Sequence, residues 1–187
     1  MKPLFKQPLL IIFLCLCIGQ AFSQTCPLNI DFEQGDFTNW QCFTGKTFTK
    51  GNNKNVIDLN PSPPTNGRHE IVSADTNGVI PLDEYGKFPK LCPYGGKYSV
   101  KLGNNEVGAL AEGISYTFTV PSTEDTFSFT HFYAVVFENP GHPLPEQPRF
   151  FMTAYETATG NLINCASYNY VSTGGIPGFK KSQRNKW

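Results

Sequence analysis

Apolar and polar residues alternate one for one along several stretches of this chain, which is the period of a strand with one covered and one wet face. In Ile114-Ser115-Tyr116-Thr117-Phe118-Thr119-Val120 every second residue is apolar, and Pro121 closes the run because it cannot donate into a ladder. Thr126 to Phe137 starts with the same alternation and becomes apolar on both faces from Phe132 onward. That pattern predicts a strand covered on both sides, central in its sheet. Phe150–Glu156 and Leu162–Val171 flank Thr157-Ala158-Thr159-Gly160-Asn161, which predicts a hairpin. A further short strand is expected at Tyr98–Leu102, entered through Gly95-Gly96.

Helical periodicity is nearly absent. The best helical window, Asn105–Glu112, is short and carries Gly108, with Gly113 just after it, so strand or loop is expected there. Asn60–Asn66 and Glu138–Pro148 are proline-rich and polar and read as surface loops. Short strands separated by turn signals predict an all-β fold, an antiparallel β-sandwich of jelly-roll type. No internal repeat and no second domain are visible.

The first residues follow a different logic. Lys2 and Lys6 precede the apolar run Leu9–Ile18, and Ala21-Phe22-Ser23 places small residues before Gln24. This order reads as a secretory signal peptide over 1–23, too short in its apolar part for a membrane span. The β-sandwich domain is then expected over 24–179, followed by a basic tail at 180–187. Export implies a secreted, extracellular or outer-cell-surface protein with no membrane span after cleavage.

Composition narrows the function classes. Of 187 residues, 15 are basic and 15 acidic. Without Lys2 and Lys6 the balance is 13 to 15, and without the four basic residues of the tail it is 9 to 15. A mildly acidic body without a basic run argues against nucleic acid as a partner. Aromatic content of 14% is too high for a disordered chain.

Four cysteines remain after the signal segment: Cys26, Cys42, Cys92 and Cys165. In an exported chain an even count reads as two disulfides with three possible connectivities. Cys26–Cys42 is the favoured local staple, constraining the unfolded chain by about 3 kcal/mol. Zinc is the weaker alternative, since no C-x-x-C pair exists and His69, His131 and His142 stand in no ligand-like spacing.

Catalytic patterns are missing. There is no G-x-S-x-G, H-E-x-x-H or P-loop spacing, and no enzymatic activity is expected. His131 falls within an expected strand and reads as a hydrogen-bonded, partly buried histidine. Tyr168 and Tyr170 alternate on one strand face and could form a stacking platform for a sugar, with Asn164 or Asn169 supplying an amide and Trp40 a further ring. The competing reading places such strand aromatics in the core.

Phe32-Glu33-Gln34-Gly35-Asp36-Phe37-Thr38-Asn39-Trp40 has the form FE-x-G-x-F-x-x-W, and Gly96-Lys97-Tyr98-Ser99-Val100-Lys101-Leu102-Gly103 follows later. This pairing resembles the start of jelly-roll modules of carbohydrate-binding and MAM-like type. With Leu91–Gly96, Phe132–Val136 and Cys165–Tyr170, the chain over 25–179 resembles the N-terminal domain of Bacteroidota cell-surface proteins. Those proteins often continue into PKD-type repeats and a gliding-motility-associated C-terminal sorting domain. The resemblance implies a non-catalytic recognition or adhesion module that binds extracellular glycan or protein. Other roles it admits are an accessory module of a carbohydrate-active enzyme and a spacer. It also implies a structural calcium held by Glu33, with Asp31 and Asp36 as neighbouring oxygens. Family members would carry further strands after Pro177-Gly178-Phe179 and further domains. Here Lys180–Trp187 follows instead, so the expectation is a truncated sandwich lacking its last strands, against the alternative of a complete short domain.

Overall fold

The computed structural model describes residues 26–122 and 128–182. The expected signal segment at 1–23, Thr126 and Phe127 of the expected central strand, and 183–187 of the basic tail lie outside the described residues.

The fold is all-β and antiparallel. The longest strands, β1 (Trp40–Lys50) and β2 (Asn53–Ser62), form a hairpin turning at Gly51, whose φ of 58° suits glycine. β3 (His69–Ser73) pairs with β4 (Tyr98–Leu102), and β5 (Leu110–Tyr116) pairs with β1. The first sheet therefore has the order β2-β1-β5. Its strands approach closely at Gly45, where any Cβ would collide with the Asp58 carbonyl oxygen.

Two side chains join the β3–β4 pair to this sheet. His69, at the start of β3, is buried and reaches the Phe43 and Gly113 carbonyl oxygens at 3.0 and 3.2 Å. Those contacts require an Nε2–H donor. The ring's Nδ1 accepts from the Thr65 amide at 3.2 Å, which completes the neutral Nε2–H form. Arg68 beside it pairs with Glu112 and donates to the Gly45 and Ala111 carbonyls at 2.9 and 2.7 Å. These side chains tie the β3–β4 pair to the first sheet, an arrangement consistent with a β-sandwich. Among the described residues the buried apolar side chains are few, Ile30, Cys42 and Leu91, and of these Cys42 is the fully buried one.

The remaining strands are short. β6 (Arg149–Met152) pairs with β9 (Tyr168–Val171), and between them β7 (Tyr155–Glu156) pairs with β8 (Asn161–Leu162) across a turn containing Gly160 at φ 73°. The expected hairpin is present, but a 3-10 turn at Asn164–Ala166 interrupts its second arm. No helix among the described residues is long and apolar enough to cross a membrane.

Four expectations need correction. Residues 128–137, expected as the central strand, form no strand. Phe129, Phe132, Tyr133 and Val136 are 45–57% exposed there instead of covered on both sides. The segment lays its rings on neighbouring aromatics without entering a ladder. The strand expected at Ile114–Val120 runs from Leu110 to Tyr116, because its partner β1 begins at Trp40, directly opposite Tyr116. Asn60–Ser62 belong to β2 and not to a loop; β2 is an edge strand, where Pro61 is tolerated.

The fourth concerns the cysteines. Cys26, Cys42, Cys92 and Cys165 are all free thiols, so neither the favoured Cys26–Cys42 staple nor any other pairing among them is formed. Cys26 borders an open depression with Asn39 and Tyr116–Phe118, beyond the start of β1. Cys42, on β1, is buried, whereas Cys26 is exposed.

Candidate functional site

β9 alternation puts Tyr168 and Tyr170 on one face, with ring centroids 5.4 Å apart. The β6 register places Phe150 opposite Tyr170 on that same face. Onto these rings the segment 128–137 brings His131 and Tyr133. Tyr133 lies 5.0 Å from Tyr168, 5.5 Å from Phe150 and 6.3 Å from Tyr170. Its hydroxyl shares a 3.0 Å hydrogen bond with that of Tyr170, and His131 Nε2 lies 2.9 Å from the Tyr168 hydroxyl. The result is a cluster of four polar-tipped rings whose tips are tied in two pairs.

The electrostatics of the cluster follow from that closeness. Burial, then the neighbouring Tyr133 and Tyr170 hydroxyls, push Tyr168 up to about 12. The hydrogen bond with Tyr170 is the main reason Tyr133 titrates above its ordinary range, followed by burial. Both phenols therefore stay neutral through the physiological range, able to donate and accept hydrogen bonds but not to act as bases. A face of this kind suits a neutral polyhydroxylated ligand with an apolar side, through ring contact and hydroxyl exchange. Tyr133 is 46% exposed and is the ring through which a ligand would first meet the cluster.

The other expected residues lie elsewhere. Asn169 alternates to the opposite face of β9, across from Phe151, and borders a shallow depression that Asn164 and Ser167 also line. Trp40 is a strut of the N-terminal motif. It stacks on Phe32 at 4.3 Å, meets Tyr116 edge-on at 5.0 Å, and donates its indole N–H to the Asn29 carbonyl at 2.8 Å. Tyr168 and Tyr170 are brought together; Trp40 and Asn169 are not part of their face.

The acidic trio serves the backbone. Glu33 Oε1 accepts from the Lys97 amide at 2.7 Å and the Tyr98 amide at 3.4 Å, fastening the N-terminal motif to the start of β4. Gly96, at φ 96°, allows this approach, since a Cβ there would lie 2.8 Å from that oxygen. Asp31 Oδ1 accepts from the Glu33 amide at 3.2 Å, and Asp36 Oδ1 from the Thr38 amide at 2.8 Å. Each carboxylate of the trio thus uses one oxygen to close a turn or a strand contact. Among the described residues no group of three or more His, Cys, Asp or Glu is placed to share an ion.

Sequence reading missed His131 and Tyr133 as members of the cluster, and Asn29 as the centre of the N-terminal motif. Asn29 is buried at φ 58°; its amide donates to the Asp36 and Thr38 carbonyls, and its side-chain oxygen accepts from the Gln34 amide. An asparagine two residues before an Asx-rich turn was the available signal. No protein-family model matches the chain, and neither a curated protein nor a solved structure shows significant similarity to it.

Proposed function

We propose that this chain is a non-catalytic extracellular recognition module that binds glycan through the face formed by His131, Tyr133, Tyr168 and Tyr170. The observation that carries the reading is the half-exposed Tyr133 ring over the Tyr168–Tyr170 pair, with paired neutral hydroxyls at its rim. Neutral phenols beside ring surfaces match the mixed apolar and hydroxyl character of a pyranose, whereas a phosphate or an acidic peptide would call for a cluster of lysines or arginines, and none of the four side chains named is either. The signal-like order at residues 1–23 and the mildly acidic body support export and a cell-surface role of the kind the Bacteroidota resemblance implies.

The test is a glycan panel probed with the full chain and with two variants. Tyr133→Phe keeps the ring and removes the hydroxyl pair with Tyr170; Tyr133→Ala removes both. Binding that weakens stepwise from the native chain through Tyr133→Phe to Tyr133→Ala supports the reading. Glycan binding that ignores both variants, or none across the panel, defeats it.

A further inference from the structure

Residues 129–137 (Phe129-Thr-His-Phe-Tyr-Ala-Val-Val-Phe137) carry the features of a strand without a neighbour. Phe129, His131 and Tyr133 stack in succession at 5.8 and 5.6 Å with nearly parallel planes, as alternate side chains of an extended chain do. No backbone amide or carbonyl of these nine residues bonds to another described residue. Tyr133 and His131 cover one face against β6 and β9, while on the other face Phe132 is 57% exposed and stacks on the more exposed Tyr94, at 4.6 Å.

Natural strand edges are guarded by charges, prolines or bulges. This segment has no formally charged residue other than a titratable histidine, and no proline or glycine. It combines aromatic and β-branched residues in the composition that pairs most readily with a like strand. An identical segment brings no charge conflict. In an antiparallel two-fold register centred on Tyr133, Phe129 stands opposite Phe137 and His131 opposite Val135, which are favourable aromatic and β-branched pairs.

We propose that residues 129–137 pair edge to edge with the same residues of a second copy of this chain, forming an antiparallel two-fold ladder. The pairing uses backbone groups at the strand edge and leaves the side-chain faces outward, so it stands or falls separately from glycan recognition. The test combines sedimentation with hydrogen exchange of the full, unaltered chain at low and high protein concentration. The expected result is a mass that doubles with concentration, while amides of 129–137 slow at least tenfold and those of β1 do not change. Ala134→Pro, which removes a ladder donor, should remain monomeric, and Ala134→Ser should dimerise like the native chain. A monomer at every concentration overturns the proposal and leaves the segment to a different partner's strand. Exchange at 129–137 that does not depend on concentration overturns it too, as does dimerisation of a folded Ala134→Pro. The exchange measurement needs no variant, so misfolding of Ala134→Pro does not protect the idea.

Discussion

Replacing His69 with alanine should loosen the β3–β4 pair from the first sheet. The ring is 4% exposed, spans to two strands through Nε2, and holds the Thr65 amide through Nδ1. Truncating a buried side chain of this size costs about 2–5 kcal/mol in cores. An unpartnered buried amide adds about 1–3 kcal/mol, partly recovered if water enters the space. A net loss of about 4 kcal/mol is expected, a large share of the roughly 5–15 kcal/mol that stabilises a domain. At roughly 3 °C per kcal/mol for a chain of this length, Tm should fall by about 12 °C. His69→Phe separates the terms: it restores the ring's volume without its hydrogen bonds, and should recover about half the loss. The assay is urea unfolding followed by tryptophan fluorescence, which Trp40 reports from the start of β1. A His69→Ala chain within about 0.5 kcal/mol of native would refute the claim that His69 joins the two sheets.

Glu33→Ala removes the acceptor for the Lys97 and Tyr98 amides and should cost about 1–2 kcal/mol, while unfolding curves in millimolar calcium and in chelator should coincide; a calcium-dependent rise in Tm that Glu33→Ala abolishes would place an ion there instead. Burial raises the Cys42 thiol above its ordinary range, so native alkylation should modify Cys26 and Cys165 quickly and Cys42 only after denaturation; mass spectrometry that finds Cys42 already in a disulfide contradicts the fold described. Tyr168 has a folded-state value raised to about 12 from an ordinary value of about 10, so the stability it contributes is full below about pH 10 and lost as pH climbs towards 12. In a tyrosinate absorbance titration, Tyr168→Phe should remove the last phenol to ionise; an unchanged titration would sink that assignment.

How much of this could be read from the chain varies with where the determinants lie. β4 was legible to the residue because Tyr98–Leu102 alternates between a glycine entry and a glycine exit. The shared face of Tyr168 and Tyr170 followed from a period of two, which is local. β5 was found but displaced, since its end is set by where β1 begins and not by Pro121. Pro61 misled because tolerance of proline depends on a strand's position in the sheet, which composition does not encode. Residues 128–137 misled most. Apolar residues on both faces signal a need for cover, and here Tyr168, Tyr170 and Phe150 meet that need on one side only. Tyr133 therefore surfaced as the centre of the candidate site only when a contact 35 residues away in sequence was in view. Trp40 and Glu33 stood out in the sequence, but their bonds to backbone groups did not, because the Asn29 carbonyl and the Lys97 amide they meet are brought to them by the fold.

The central claim is that the Tyr133–Tyr168–Tyr170 face recognises glycan, and calorimetric titration of the full chain with the best oligosaccharide from a panel tests it most directly. Tyr155→Ala serves as the control, removing a somewhat more exposed tyrosine from β7 that is not one of the cluster's rings. The account predicts that Tyr133→Ala weakens binding by about tenfold or more, the equivalent of losing roughly 1.4 kcal/mol of ring contact, while Tyr155→Ala leaves it unchanged. Equal affinities for the native chain and Tyr133→Ala, or a loss that follows Tyr155 instead, would contradict it.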